Sequence, residues 1–594
     1  MLIEKFHFYL VRLKTASLGE LVYRARQFIL VRRLKKKVAQ GQQILSIPEV
    51  VPNQINKLHM PELNGHVSEQ EVEEILQGRV FSLNTDLEGI REFERKTRHL
   101  FFNDIKLTGQ DPDIRAVWEP ARLQHLTVLL IYKSNHSDAT TRQNIDAYVR
   151  KSILEWIDRN PFLRGSHYMS AMECGLRIPV FFYALKLLGN LTPSDVQHIT
   201  AAMYFHVWWI QKRLSLYSSL GNHTIAESVG LIFGGAVFQH APEGRRWLQR
   251  GVDLLEQELY HQILDDGGPA EQSLNYHRFV VDLYFSAIDF LEKNGLHDCK
   301  RLKARVETAE AFLSAFSTKE DSLHSWGDSD DGRAVAPGCF PHRLGSDKKQ
   351  DRLRTFPFFG STVIKDGNLG LIFNHGPLGM APLYNHGHAD ALSLVVTKNG
   401  RDMLVDPGTF RYNIAGKYRV YFRGTRAHNT ICIDGQEQAV QETNFIWSSP
   451  YKSRLIDCSE KDNEIFLTAC HNGYTRLKDP VQHARSIEYK PGAGLIITDT
   501  FQGSGSHAYE LNFHLHPDAT ILEKENDWWQ INNQGNSIYI KLLEGKRFEL
   551  IKGQEKPILG WYSPAYGIKQ KSGVLSCTAH GYPEEVEFKT AIIV

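Results

Sequence analysis

The 594-residue sequence lacks three features that would assign it to a broad class at once. Its seven cysteines are scattered and form no Cys-x-x-Cys pair, which excludes a disulfide framework and a thiolate zinc site. It contains no apolar run of about 18 residues, so no transmembrane helix is expected. The formal net charge is only +1, so the chain as a whole gives no reason to expect nucleic acid as a partner.

The N-terminus also lacks the basic start and long apolar core of a signal peptide. This absence predicts a cytoplasmic protein, or a periplasmic or secreted one if a leader has been removed. Residues 1–45 are rich in Lys and Arg and are predicted to form a basic amphipathic helix. Such a helix is either simply solvated, or a docking face for a membrane surface or an anionic glycan.

Beyond residue 45 the hydrophobic pattern divides the chain into a helical part and a strand-rich part. Apolar residues recur at three- and four-residue spacing in eight segments, which predicts helices joined by short links: 117–133, 143–158, 168–189, 195–216, 223–239, 245–264, 276–294 and 300–317. A bundle, a solenoid or a closed ring of helical hairpins would each fit this pattern. We therefore expect a helical domain over residues 46–335.

After a polar stretch at 318–358, interpreted as a linker, the period of the pattern changes to two. Hairpin signals recur at short intervals, among them Asp366-Gly367 and Asn399-Gly400. Many short strands at this spacing are typical of an antiparallel β-sandwich. The sequence predicts that residues 336–594 form this second domain.

The densest group of chemically versatile residues begins at Asn385-His386-Gly387-His388 and continues to Asp406 and His428. Two imidazoles and a carboxylate, here His388, Asp406 and His428, suit a tetrahedral zinc ion with a fourth position for water or another ligand. They lie on different predicted strands, so spacing alone does not show that they converge. The alternative is that they are unrelated surface polar groups.

Three helical features have a structural and a functional interpretation each. Asn222-His223 opens an apolar helix, where the free N–H groups suit an anion, although Asn222 can also be a simple N-cap. Tyr276 stands at the start of another helix and either acts chemically or packs on a neighbour. Glu173 and Arg177 are four residues apart, which an ion pair on one helix face would explain.

Together these motifs resemble the heparinase II/III-like polysaccharide lyases, a family that includes alginate lyases. The resemblance covers roughly residues 110–594 and rests on the order and combination of several short segments. These are Gly221-Asn222-His223 with Glu227, Glu271 to His277, Asn385 to Asp390, Asp406 to Thr409, Arg426 to Thr430, His483-Ala484-Arg485, Phe513 to Pro517 and Gly560 to Pro564.

The resemblance implies an incomplete (α/α) toroid followed by antiparallel β-sandwich sheets. It also implies β-elimination at a uronic acid, in which a base removes the C5 proton, an acid protonates the leaving O4, and polar groups stabilise the charge on the carboxylate. The implied roles are: Asn222 with His223 as carboxylate neutralisers; Tyr276 as acid and in some stereochemistries base; His386 as second base or neutraliser; Asn385, Glu173, Arg177, Glu227, Arg423 and Arg426 as substrate-binding residues; and His388, Asp406 and His428 as ligands of a structural zinc.

We therefore expect a lyase that acts on heparin, heparan sulfate or a related acidic polysaccharide and gives a 4,5-unsaturated uronate. No organic cofactor, nucleic acid or transmembrane segment is expected, and the sequence does not give the oligomeric state. Three alternatives stay open: a non-catalytic glycan-binding or exopolysaccharide assembly factor, a lyase for alginate or a bacterial exopolysaccharide, and a zinc hydrolase that uses His388, Asp406 and His428.

Overall fold

The computed structural model describes residues 16–48, 52–81, 83–318, 322–341 and 351–594. The chain divides into two compact units. The helical unit comprises Met1–Gln262, Arg278–Glu307 and Gly332–Gly345, and the sheet unit comprises Ile263–His277, Thr308–Asp331 and Ser346–Val594. Residues 1–15, which begin the predicted basic helix, lie outside the described residues.

The α-helices are α1 Leu18–Ala39, α2 Pro52–Lys57, α3 Glu69–Leu76, α4 Leu87–Thr97, α5 Ile114–Ala121, α6 Gln124–Asn135, α7 Ala139–Arg159, α8 Ala171–Leu187, α9 Pro193–Arg213, α10 Asn222–Val237, α11 Pro242–Gln262, α12 Leu274–Lys293, α13 Lys300–Ala315 and α14 Lys417–Arg423. The helix predicted over 117–133 is instead two, α5 and α6. The break falls at Leu123, whose φ of 61° is incompatible with a continuous helix.

Helix α10 is buried along almost its whole length and packs on α8, α9 and α11. Helices α8 and α10 approach each other most closely at Gly175 of α8. A Cβ at this position would lie 2.4 Å from the carbonyl oxygen of Ala226 in α10. An alanine there would push the two helices apart. Close packing thus fixes α10, the helix that begins with Asn222.

The strands are β1 Leu63–Gly65, β2 Cys339–Pro341, β3 Leu353–Phe356, β4 Ser361–Asp366, β5 Leu369–Asn374, β6 Leu394–Lys398, β7 Arg401–Leu404, β8 Ile431–Ile433, β9 Val440–Gln441, β10 Trp447–Ser448, β11 Ser453–Lys461, β12 Glu464–His471, β13 Val481–Lys490, β14 Gly494–Gly503, β15 His507–His514, β16 Thr520–Glu523, β17 Trp529–Asn533, β18 Asn536–Leu542, β19 Glu549–Lys552, β20 Gln554–Glu555, β21 Ile558–Leu559, β22 Trp561–Tyr562, β23 Gln570–Lys571, β24 Gly573–Gly581 and β25 Phe588–Ile593.

Among the described residues, three antiparallel sheets of four or more strands build most of the sheet unit. Their strand orders are β3-β4-β5-β6-β7, β19-β24-β15-β8 and β11-β12-β13-β14-β25-β18-β17-β16. Apolar side chains from all three form one core, exemplified by Val396, Phe513 and Ile497. The predicted hairpins at Asp366-Gly367 and Asn399-Gly400 are confirmed, since β4 pairs with β5 and β6 with β7.

Candidate functional site

The predicted zinc ligands converge in the sheet unit. His388, Asp406 and His428 are all buried, and one potential ligand atom from each lies within 4.8 Å of the others. His388 lies on the loop before β6, Asp406 follows β7, and His428 precedes β8. The strands of two sheets therefore hold three loops in place, and residues 40 positions apart in the chain become neighbours.

The protonation pattern of these histidines leaves two nitrogens for a metal. His388 Nε2 lies 3.1 Å from Asp328 Oδ1, and His428 Nδ1 lies 2.8 Å from Asp406 Oδ2. Because a carboxylate only accepts hydrogen bonds, each of these nitrogens is the protonated one. His388 Nδ1 and His428 Nε2 are buried and have no hydrogen-bond partner among the described residues. Two such orphaned nitrogens beside a carboxylate fit a zinc ion well.

The electrostatics of the two imidazoles differ. Burial lowers the pKa of His388 to about 4, which keeps the ring neutral, as a metal ligand must be. Burial also acts to lower the pKa of His428, but the nearby carboxylates of Asp406, Asp390 and Glu437 together outweigh it, so the pKa of His428 is raised. A divalent cation would bind at His428 Nε2 and leave the Nδ1 proton hydrogen-bonded to Asp406.

Asp328 contacts both His386 and His388 and so connects the two parts of the site. The sequence analysis missed this residue because it interpreted 318–358 as a linker. Its side chain is fully buried and accepts from His386 Nδ1 at 3.3 Å and His388 Nε2 at 3.1 Å. Arg419 donates two further bonds to it, at 2.5 and 2.8 Å. Burial alone would raise the pKa of Asp328, but Arg419 holds it well below its usual range. The available signal was the polar run from Trp326 to Arg333.

Tyr276 and His386 form the second part of the site. Their rings stack with centroids 4.0 Å apart, and the hydroxyl of Tyr276 lies 2.9 Å from that of Tyr412. His386 Nε2 lies 4.0 Å from Glu271 Oε1. Tyr412 was not predicted, although it closely follows the Asp406 to Thr409 motif. The predicted acid and the predicted base are thus direct neighbours in the sheet unit.

Asn222 and His223 belong to the helical unit and begin α10. Asn222 is the first helical residue and Gly221 is the N-cap, so the interpretation of Asn222 as a simple N-cap is wrong. Asn222 is buried, while His223 lines a cavity with residues of α1. Their predicted role as carboxylate neutralisers stays a prediction.

Four of the residues predicted to bind substrate lie in the protein interior. Glu173, Arg177, Glu227 and Arg423 are completely buried, which leaves them no surface for a glycan. Glu173 pairs with Arg122 and not with Arg177, so the expected ion pair along α8 does not form. Arg177 donates to His206 and to two backbone carbonyls.

The other two buried residues are held in a similar way. Glu227 accepts from the backbone N–H and the hydroxyl of Ser215 at 2.6 and 2.8 Å, and burial raises its pKa to about 8. Arg423 donates to four backbone carbonyls, one of them that of Asn385. Glu227 thus holds backbone within the helical unit, and Arg423 holds backbone within the sheet unit.

Asn385 and Arg426 are only partly buried. Asn385 Oδ1 is buried and has no hydrogen-bond partner within the described ranges. Arg426 Nε donates to Glu510 at 2.8 Å. Both stay candidates for contact with an anionic substrate.

Comparison with known proteins gives the family. The model "Heparinase II/III N-terminus" matches residues 118–336, and "Heparinase II/III-like, C-terminal" matches 348–592. The chain belongs to the heparinase II/III-like family. Among curated relatives, a heparin-sulfate lyase of Bacteroides stercoris is 21% identical over 64% of this chain and 58% of its own length. A heparin-sulfate lyase of Pedobacter heparinus is 23% identical over 57% of this chain and 53% of its own length. The chain thus spans less than two thirds of these relatives.

Solved structures confirm the fold class of this family member. A crystal structure of heparinase III aligns with a TM-score of 0.65 at 15% identity and covers 95% of this chain and 88% of that one. A second heparinase III structure aligns with a TM-score of 0.60 at 17% identity. It covers 95% of this chain and 88% of that one. The predicted order, an incomplete (α/α) toroid followed by an antiparallel β-sandwich, is correct. Among the described helices, none is long and apolar enough to cross a bilayer.

Proposed function

We propose that this protein is a polysaccharide lyase that cleaves heparan sulfate or a closely related uronate glycan by β-elimination. The observation that carries the proposal is the contact between Tyr276 and His386, two proton-transfer groups stacked 4.0 Å apart in a chain of the heparinase II/III-like family. A protein that only binds glycans has no need of such a pair. The relatives named above are heparin-sulfate lyases, which favours this glycan class.

In this reaction the Tyr276 hydroxyl donates a proton to the leaving O4. His386 accepts the C5 proton, or neutralises the carboxylate when Tyr276 is the base. Asp328 accepts from His386 Nδ1, which leaves Nε2 as the nitrogen that exchanges protons. If Tyr276 were the base it would have to ionise, and its reference pKa of about 10 makes that unfavourable near neutral pH.

His388, Asp406 and His428 would hold the zinc ion, whose contribution would be to fix the loops that carry His386 and its neighbours. The ligand set of two histidines and one carboxylate could also serve a catalytic metal. We favour the structural role because Asp328 joins His388 directly to His386, so a metal on His388 would orient the base.

The test is ultraviolet absorbance during incubation with heparan sulfate, heparin, chondroitin sulfate, hyaluronan and alginate. A rise with heparan sulfate, from the conjugated unsaturated uronate, is the expected result. Tyr276→Phe should lower kcat by about 10²- to 10⁴-fold, because it removes the proton donor. The matched control is Tyr412→Phe, which removes only the hydroxyl contact and should cost about tenfold. Normal turnover by Tyr276→Phe would contradict the proposal.

A further inference from the structure

Helix α1 packs on the segment that leads into Asn222. Tyr23 donates to the carbonyl of Leu214 at 2.7 Å, and Gln27 donates to that of Lys212 at 2.5 Å. Arg24 donates to the hydroxyl of Ser219 at 2.9 Å. The family match begins only at residue 118, so α1 lies outside the matched region.

A cavity of about 540 Å³ lies between α1, this segment and the start of α10. Its lining combines cationic groups, hydrogen-bonding groups and aromatic faces. Those that the argument uses are Arg24, Arg213, His223, Gln27, Ser215 and Trp118. Guanidinium groups suit carboxylate and sulfate, hydroxyl and amide groups suit sugar hydroxyls, and aromatic faces suit a pyranose ring.

Arg213 lines the cavity as a cation that has no ion pair among the described residues. Its guanidinium lies over the Trp209 ring at 5.6 Å, and no described carboxylate lies within 4.0 Å of it. Burial lowers the pKa of Arg213, which means that the charged form has lost hydration without gaining an ion pair. The nearest acids have other partners, because Glu20 pairs with Arg24 at 3.3 Å and Glu227 accepts from Ser215.

We propose that this cavity is a subsite for an anionic sugar residue of the glycan, with Arg24 of α1 and Arg213 on either side of its sulfo or carboxylate group. The subsite rests on the proposed function, since it would hold another sugar of the same glycan. Because α1 forms one wall of the cavity, the basic N-terminal region would take part in substrate recognition. Its composition alone would also fit a solvated helix or a helix that docks on a membrane.

The experiment uses the full chain with Tyr276→Phe, so that ligand is not consumed, and titrates it calorimetrically with a heparan sulfate hexasaccharide. Arg24→Met and Arg213→Met are each expected to lower affinity about tenfold, because each removes a charge-assisted contact while keeping most of the apolar stem. Arg33→Met is the matched control. It removes the same charge from the exposed part of α1 away from the cavity, and should change affinity less than twofold.

Unchanged affinity in Arg24→Met overturns the subsite, as does an equal loss in Arg33→Met, which would indicate general attraction. The Arg24 side chain is 46% exposed, so its variant remains decisive if Arg213→Met unfolds in a melting assay. A desulfated hexasaccharide identifies the group: a loss confined to the sulfated ligand assigns the sulfo group, and a loss with both assigns the carboxylate. A wild-type chain that binds through Arg24 but gives no absorbance rise would refute the lyase and leave the subsite standing.

Discussion

The two units each contain a fully buried carboxylate held by an arginine, yet the two have different consequences. In the helical unit, Arg122 donates to both oxygens of Glu173, at 2.9 Å each, and the pair is complete. In the sheet unit, Arg419 holds Asp328 in the same way, but Asp328 also orients His386 and His388. Only the second arrangement leaves a buried nitrogen, His388 Nδ1, without a described partner. The carboxylate of Asp328 therefore connects an arginine to two histidines of the candidate site, whereas that of Glu173 accepts from an arginine alone.

The largest expected effect separates these two carboxylates. Asp328→Asn should destabilise the protein by about 3–5 kcal/mol, because Arg419 would be left buried without its counter-ion. It should also abolish zinc binding, since the asparagine no longer fixes the protonation of His388. Urea unfolding and metal analysis of the purified protein measure the two effects.

Glu173→Gln is the matched control for this comparison. It should destabilise the helical unit by a smaller amount, because Arg122 keeps Glu119 as a partner at 3.1 Å, and leave the zinc content unchanged. If both variants lost zinc, or neither did, the distinction between the two carboxylates would be wrong.

Removal of the metal should have the next largest effect. Treatment with 1,10-phenanthroline should lower Tm by about 5–10 °C, as expected for a ligand present at a hundred times its Kd or more. His428→Gln should start at the lower Tm and not respond to the chelator. A wild-type protein whose Tm ignores the chelator would argue against a structural zinc.

Arg485 offers a smaller effect within the sheet unit. It donates to the carbonyls of Leu392 and Asn429 at 2.7 and 2.6 Å, and so ties together the loops that follow His388 and His428. Arg485→Lys should cost about 2 kcal/mol and weaken zinc binding, because lysine cannot reach both carbonyls and Asp499 at once.

The comparison for Arg485 is Arg352→Lys, which changes a partly exposed ion-pair network and should cost less than about 1 kcal/mol. Both values come from urea unfolding, and competition with a chelating dye gives the zinc affinity. Equal zinc affinity in Arg485→Lys and the wild type would show that Arg485 serves stability only.

The smallest effect, counted per histidine and per pH unit, is a pH dependence of stability that occurs in both units. Burial lowers the pKa of His125 in the helical unit and of His375 in the sheet unit to about 4. Unfolded histidine titrates near 6.5, so between about pH 6.5 and 4 only the unfolded chain binds these protons. The free energy of unfolding should therefore decrease as the pH is lowered from about 6.5 to 4, by up to about 1.4 kcal/mol per pH unit for each histidine.

Urea unfolding at pH 7, 6 and 5 measures this slope. His125→Gln should reduce the slope without removing it, because His375 and the other buried neutral histidines still contribute. A slope unchanged by that substitution would mean that His125 is already protonated in the folded protein.

Much of the architecture was predictable because hydrophobic periodicity and turn residues act over a few positions. The helical segments up to Ala315, the hairpins at Asn399-Gly400 and Asp366-Gly367, and the change from helix to strand all follow from local pattern. Where local pattern failed, as at Leu123, a single residue of positive φ divided a continuous apolar periodicity.

The residues themselves determined that imidazoles, a phenol, an amide and carboxylates were available near strand and helix starts. Only the tertiary structure decided which of them meet. Asp328 lies 58 residues from His386 in the chain, and no spacing rule connects them. Likewise Glu173, Arg177 and Arg423 have the side chains expected of a substrate-binding site, but packing buries them with backbone and ion-pair partners. Burial and hydrogen-bond completion depend on the whole chain path, which is why the sequence indicated the chemistry and the fold selected the site.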